Sequence, residues 1–342
     1  MRIAIVGAGI AGRALWRFLE LQDRHDVEIF DLKQGNRCGI HPCAWGVEQT
    51  KFRLAHTHLQ LPIETVYRNF SELNLDGDMI KCNLCTFDKP AFLEQMCSSD
   101  NIQTGVVLSP HNDYDLIIDA TGEKRAILPQ IPDDMKITCR QTLYKTHTED
   151  LDISMFPSKS VGYAWAFPLD NGFVHIGQGA MKWENISIPS RGKSAPEETW
   201  KAMRYAGVTG KEPVCGVKES KIRLLTPAYC QPIAWRNIVG VGESIGAVSP
   251  HSGAGIIPSI TCARLLAENI DEDHRFRHYT AAMMKEFAFM DRETEIVKKL
   301  ITGRRVNLRD LICLYKNDRW FGLYPGPVQI IRALRGFGAR FI

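Results

Sequence analysis

A glycine run, Gly7-Ala8-Gly9-Ile10-Ala11-Gly12, follows directly on a short β-branched stretch from Arg2 to Val6. Asp31 lies 19 residues beyond Gly12, at the end of a second such stretch, Val27 to Phe30. Residues of these types at this spacing can hold two phosphates and a ribose. Gly7 permits a tight turn out of the strand, Gly9 lets the backbone approach a pyrophosphate, and Gly12 lets the following helix pack close. The helix N-terminus offers free N–H groups and the positive end of a dipole. The Asp31 carboxylate can accept from both ribose hydroxyls and repels a 2′-phosphate. Ile10, Ala11 and Leu32 adjoin these groups and are expected to touch the same dinucleotide.

Two later segments bear on which dinucleotide it is. Asp115 to Asp119 reads as a strand running into Ala120-Thr121-Gly122. Asn237 to Val241 reads as another, leading through Gly242-Glu243 to Gly253-Ala254-Gly255-Ile256 and a helix from Ile257 to Ile270. The chain thus returns to the nucleotide after a long excursion. NAD needs no such return, whereas a longer cofactor must be held at its far end as well, which points to FAD. A free helix N-terminus near Gly253–Ile256 would stabilise negative charge on a reduced flavin ring.

These motifs require an α/β architecture: a Rossmann-like FAD-binding domain of the glutathione-reductase type over 1–130 and 224–271. Within the excursion, Ile137 to Tyr144 and Phe173 to Ile176 alternate in polarity, which predicts an inserted antiparallel-sheet substrate domain over 131–223. A C-terminal helical segment, 272–342, completes the chain. Length agrees, since 342 residues exceed one ordinary core. No apolar run reaches the ~18–20 residues of a membrane span, and the ten cysteines lack a secreted-protein spacing. We therefore expect a cytoplasmic protein with reduced thiols.

At this point the residues resemble a known group. The glycine run, the Ala120-Thr121-Gly122 strand end and the Gly242-Glu243 motif are similar to those of FAD enzymes of the para-hydroxybenzoate hydroxylase superfamily. Tyr163-Ala164-Trp165-Ala166-Phe167-Pro168 with Gly177-Gln178-Gly179 resembles the aromatic signature of the geranylgeranyl reductase family within it. Arg37-Cys38-Gly39 resembles that family's segment beside the flavin, and Thr86 to Leu93 resembles its helix start. The resemblance implies an FAD-dependent reductase that saturates isolated C=C bonds of isoprenoid, geranylgeranyl-type lipid chains. It implies Arg37 and Cys38 near the flavin, Cys38 and Trp165 in catalysis, and Tyr163, Trp165, Phe167, Pro168 and Gly177 against the substrate. Tyr163, Trp165 and Phe167 share one strand face, which would serve as a tunnel wall or as a packed core face. An electron donor, NAD(P)H or a ferredoxin-like protein, is implied as well. The chain departs from the pattern at Glu243, where the family has Asp, and at Thr121, where the hydroxylases have Asp. A monooxygenase or halogenase of the same superfamily and a non-catalytic flavin or lipid binder are the alternatives.

Other chemistries fit less well. Cys38, Cys43, Cys82 and Cys85, with His41, His56 and His58, include one Cys-x-x-Cys. It lies in an apparent strand whose alternate residues point apart, so no metal site is expected. Gly242-Glu243-Ser244-Ile245-Gly246 lacks the G-x-S-x-G spacing of a serine hydrolase. The overall charge of +3 is too small for a nucleic-acid binder. It is uneven, however. From Ile296 to Ile342 ten Lys/Arg oppose two Asp, a balance of +8 that leaves −5 for the rest. Aromatics interleave with those cations, and Val328, Ile331, Leu334 and Phe341 fall near one helical face. The tail is expected to make peripheral contact with a membrane or, in the rival account, to pack back as a cap.

Overall fold

In the computed structural model, residues 1–32, 43–62, 65–105, 114–158, 161–180, 197–215, 218–270 and 276–341 are described. The first segments are β1 (Arg2–Val6), α1 (Ile10–Gln22), β2 (Asp26–Asp31), β3 (Gly46–Glu48), α2 (Gln49–His58), β4 (Val66–Leu75), β5 (Asp78–Phe87), α3 (Lys89–Met96), β6 (Ile102–Thr104) and β7 (Leu116–Asp119). Next come β8 (Lys136–Lys145), β9 (Ile153–Ser158), β10 (Gly162–Pro168), β11 (Phe173–Ala180), α4 (Glu197–Tyr205), β12 (Lys218–Arg223), β13 (Ala234–Trp235), β14 (Ile238–Gly240) and α5 (Ile256–Asn269). The chain ends with α6 (Arg277–Phe287), α7 (Asp291–Thr302), β15 (Arg305–Val306), α8 (Leu308–Trp320), β16 (Leu323–Tyr324), α9 (Pro327–Gly336) and β17 (Arg340–Phe341).

β1 is apolar on both faces because it lies in the middle of a sheet ordered β13-β14-β7-β1-β2-β6. Its neighbours β2 and β7 run parallel to it, and Ile3, Ala4 and Ile5 are fully buried. α1 covers the sheet with Ala14, Leu15, Phe18 and Leu19 and packs beside α5. Cutting one such contact, as in Leu15→Ala, costs ~2–5 kcal/mol. The expected Rossmann-like fold is therefore present, and the returning strand β14 adds to it beside β7.

The second sheet is larger than the excursion. Its order is β12-β8-β11-β10-β9-β4-β5-β16, with β3 also on β5. Strands β3, β4, β5 and β16 join it from outside 131–223. β4 pairs in parallel with β9 through Leu73↔Ile153, so the hairpin β4–β5 joins the sheet from the N-terminal side. On β5, Ile80, Cys82 and Leu84 enter one apolar cluster, while Cys85 and Phe87 enter the nucleotide-domain core. Cys82 and Cys85 thus point to opposite faces. Eight described cysteines are free thiols, but Cys215 is disulfide-bonded, which corrects the expectation that all are reduced.

The C-terminal segment is helical and packs back. Ile296 and Leu300 of α7, Leu314 of α8, and Ile330, Leu334 and Phe337 of the tail share one cluster. The expected tail face is shifted. α9 stops at Gly336, Val328 is 58% exposed, and the chain reverses so that β17 pairs with β15. Ile330 and Leu334, spaced i, i+4, are the buried pair. Among the described residues no helix is long and apolar enough to cross a membrane.

Candidate active site

The nucleotide cradle is built from close approaches. Gly7 has φ +111°, and a Cβ there would lie 2.3 Å from the Ala120 carbonyl oxygen. A Cβ on Gly12 would lie 1.8 Å from the Gly7 carbonyl oxygen, so Gly12 sits under the turn and does not face the cavity. Gly9 is different: its Cβ direction meets nothing within 4 Å. It is the N-cap of α1, and no side chain caps that helix. Asp31 is fixed at the rim, with Oδ2 accepting from Ala8 N at 2.8 Å and Oδ1 from Leu32 N at 2.6 Å. The loop, its open helix N-terminus and this carboxylate fit a pyrophosphate and a ribose.

A second open helix N-terminus faces the same space. α5 begins after Gly255 without a side-chain cap, and Gly253, Ala254, Gly255 and Ile256 line the cavity. Ala120, Thr121, Gly122 and Glu243 line it between the two helix ends. Thr121 is turned back, its Oγ1 donating to Asp119 Oδ1 at 2.6 Å. Glu243 Oε1 accepts from Arg223 N at 2.7 Å, and burial pushes its carboxyl up to about 7. The Arg223 side chain is itself buried and paired with Asp134 at 2.8 Å. Gly242 lies behind the loop, where a Cβ would come within 2.5 Å of Ala11 Cβ. Ala11 and Ile10 do line the cavity, as does Leu32.

The far end is apolar. Tyr163, Trp165 and Phe167, on one face of β10, form its wall together with Ile137 and Met155. Trp165 Nε1 donates to Gln141 Oε1 at 3.2 Å, and Gln141 Nε2 donates to the Cys43 carbonyl at 3.0 Å, which fixes the indole. Tyr163 donates to the Ser252 carbonyl and ties this strand to the loop before α5. Leu300, Trp320 and Phe337 close the space from the C-terminal segment. The whole is one continuous cavity of about 660 Å³ from Gly7 to Phe337.

Two expected substrate contacts do not face it. Gly177 stands opposite Trp165 on β11, where a Cβ would lie 2.2 Å from the indole; it makes room for the ring from behind. Pro168 ends β10, its carbonyl accepting from Thr86 Oγ1 at 2.9 Å, away from the cavity. Arg37 and Cys38 lie outside the described residues. Sequence reasoning also passed over several groups. His251 stands in the glycine loop and lines the cavity. Arg223 is an ordinary basic residue at a strand end until Asp134 and Glu243 surround it. The metal-ligand reading of His56 ends in the core, where its ring nitrogens meet the Phe52 carbonyl and Thr65 Oγ1, each at 2.9 Å.

No family model matches the chain. An uncharacterised protein of Methanocaldococcus jannaschii is 24% identical over 358 residues, covering 87% of this chain and 92% of that one. A geranylgeranyl bacteriochlorophyll reductase-like protein from Thermoplasma acidophilum covers 98% of both chains, with a TM-score of 0.63 at 12% identity. An HpxO variant of Klebsiella pneumoniae, complexed with FAD, also covers 98% of both, with a TM-score of 0.61 at 14% identity. At these identities the likeness is one of fold: the chain shares its Rossmann-like architecture with the reductase-like protein and the FAD complex.

Proposed function

We propose that the protein is an FAD-dependent oxidoreductase that saturates C=C bonds in the isoprenoid, geranylgeranyl-type chains of lipids. The observation that carries this reading is the continuity of one cavity from the Gly7–Ala11 cradle to the aromatic wall of β10. Gly9, the α1 N-terminus and Asp31 would hold the pyrophosphate and ribose, and the open N-terminus of α5 would face the negative charge of the reduced ring. When bound, the reduced flavin supplies a hydride to carbon. The chain's own part is to position and to dry. Trp165, held by Gln141, and Phe167, held against Gly46, form a stiff wall for an apolar chain. Leu300 and Phe337, clustered with Tyr163, exclude water from that end.

Electrons would come from NAD(P)H or a ferredoxin-like protein. The substrate is a membrane lipid, and the C-terminal segment offers a surface to meet it. Leu308 and Ile312, 71% and 47% exposed, lie one helical turn apart on α8 beside exposed Arg305, Arg309 and Lys316. Such a face suits the anionic surface of a bilayer, each basic residue there contributing ~1 kcal/mol. Mass spectrometry of the purified protein tests the reading. FAD with a prenyl lipid, and anaerobic gain of two hydrogens per double bond on adding reductant, is the expected result. An oxygenated or halogenated product would move the protein to another activity on this fold, and flavin that no donor reduces would make it a binder.

A further inference from the structure

The loop before α5 covers a buried group of titratable side chains at the substrate end of the cavity. His251 lines the cavity, and its Nε2 stands 3.6 Å from Asp318 Oδ1. Phe337 meets the imidazole edge-on, with ring centres 6.3 Å apart. Glu293 is fully buried and accepts from Ser249 Oγ at 2.6 Å, Asn317 Nδ2 at 2.7 Å and His251 N at 3.4 Å. Three elements therefore bring titratable groups to this loop: Glu293 from α7, Asp318 and the more distant Cys313 from α8, and Tyr163 from β10 through the Ser252 carbonyl. α9 contributes the uncharged Phe337.

Two carboxyls and an imidazole this deeply enclosed cannot all ionise. Burial and the neighbouring Glu293 hold the Asp318 carboxyl well above the ordinary range, and burial pushes the His251 ring down to about 4. Of the pair, Asp318 therefore carries the proton and the His251 ring is neutral. A neutral acid beside a neutral ring, and a carboxylate beside an imidazolium, differ only by moving that proton across the 3.6 Å gap. A network that merely tied the helices together would need neither a ring facing the cavity nor groups able to titrate.

We propose that His251 is the proton donor at the substrate end of the cavity, with Asp318 restoring its proton and Glu293 a positioning residue that holds the loop through the His251 backbone N–H. The inference rests on the reading under Proposed function. An isolated alkene has no carbonyl to polarise, so an acid must place the proton directly on carbon. The π pair of the C=C bond takes the His251 ring proton to form one C–H bond. The adjacent carbon would take a hydride from the reduced flavin once that is bound, while the ring, its N–H proton gone to carbon, takes the Asp318 proton and leaves Asp318 a carboxylate.

The test uses the full-length, flavin-loaded protein with His251→Gln and Asp318→Asn. The first readout is the ring titration of His251 by NMR. Asp318→Asn removes the acid partner and is expected to lower the midpoint by about one unit or more; an unchanged midpoint overturns the His251–Asp318 coupling. The second is single-turnover oxidation of the pre-reduced protein by a geranylgeranyl lipid. His251→Gln is expected to slow it ~100-fold or more while flavin content and absorbance stay as in the parent. The parent rate should fall as pH rises through the loss of the Asp318 proton, and the variant should lose that dependence. A His251→Gln rate equal to the parent's overturns the donor role. A parent that reduces no prenyl lipid defeats the functional reading instead, and the NMR midpoint then decides the His251–Asp318 coupling by itself.

Discussion

The indole of Trp165 lies against the bare Cα of Gly177 on the neighbouring strand, so close that a Cβ there would fall 2.2 Å from Cζ2. Gly177 is thus a packing partner of the cavity wall. Gly177→Ala should force the ring toward the cavity or the strands apart, at a cost of ~1–3 kcal/mol. Thermal unfolding and tryptophan fluorescence check this. An unchanged Tm with unchanged fluorescence would show that the contact has slack.

Gly9→Val and Gly12→Ala should separate binding from folding. The Gly9 Cβ direction is open, so the valine variant should fold normally and purify colourless. Gly12 is closed by the Gly7 carbonyl at 1.8 Å, so even alanine should destabilise the nucleotide domain. Flavin absorbance and circular dichroism of the two variants make the comparison. A yellow, fully loaded Gly9→Val protein would contradict the pyrophosphate assignment.

What could be read from sequence follows the range of the interactions. Gly7 to Gly12 and Asp31 are legible because they act within one strand–turn–helix–strand unit. Alternation along β8 and β11 is equally local. Other features depend on distant segments. Leu73 meets Ile153 only because the β4–β5 hairpin swings across, and nothing within β4 announces a parallel partner. Phe337 reaches the cavity because Ile330 and Leu334 dock on α7 and α8; the pattern of the tail alone is equally compatible with a free amphipathic helix. The Trp165–Gly177 pair lies in a legible motif, but which of the two faces the cavity depends on the strand pairing.

Burial pushes Glu243 from an ordinary 4.5 up to about 7. Between those values the folded protein binds more protons than the unfolded chain, so this group's contribution to stability is lost as pH rises through the window. Glu293, also raised to about 7, acts in the same sense, while His175 and His251, lowered to about 4, act oppositely. Glu243→Gln isolates one member. Its Tm relative to the parent should climb from pH 4.5 to 7 and level off above. Calorimetry of the flavin-free proteins across that range provides the measurement, and a constant difference would mean that Glu243 ionises normally.

The exposed face of α8 should decide membrane contact. Leu308→Asp with Ile312→Asp should abolish co-sedimentation with anionic vesicles and leave the fold intact, because both side chains are solvent-facing. Binding should also weaken with salt. Deleting residues 325–342 would be a poorer probe, since Ile330, Leu334 and Phe337 support the C-terminal cluster. Undiminished sedimentation of the double variant, or none by the parent at low salt, would contradict the proposed surface.

The central claim is that the apolar end of the cavity presents an isoprenoid alkene for reduction. The most direct measurement is to reduce the flavin-loaded protein without oxygen, add a geranylgeranyl lipid, and follow flavin absorbance and product mass together. The account predicts that the flavin reoxidises in step with the gain of two hydrogens per double bond, and that Trp165→Ala slows this without loss of flavin. A flavin that stays reduced until oxygen enters, with a product that has gained an oxygen atom, would contradict it.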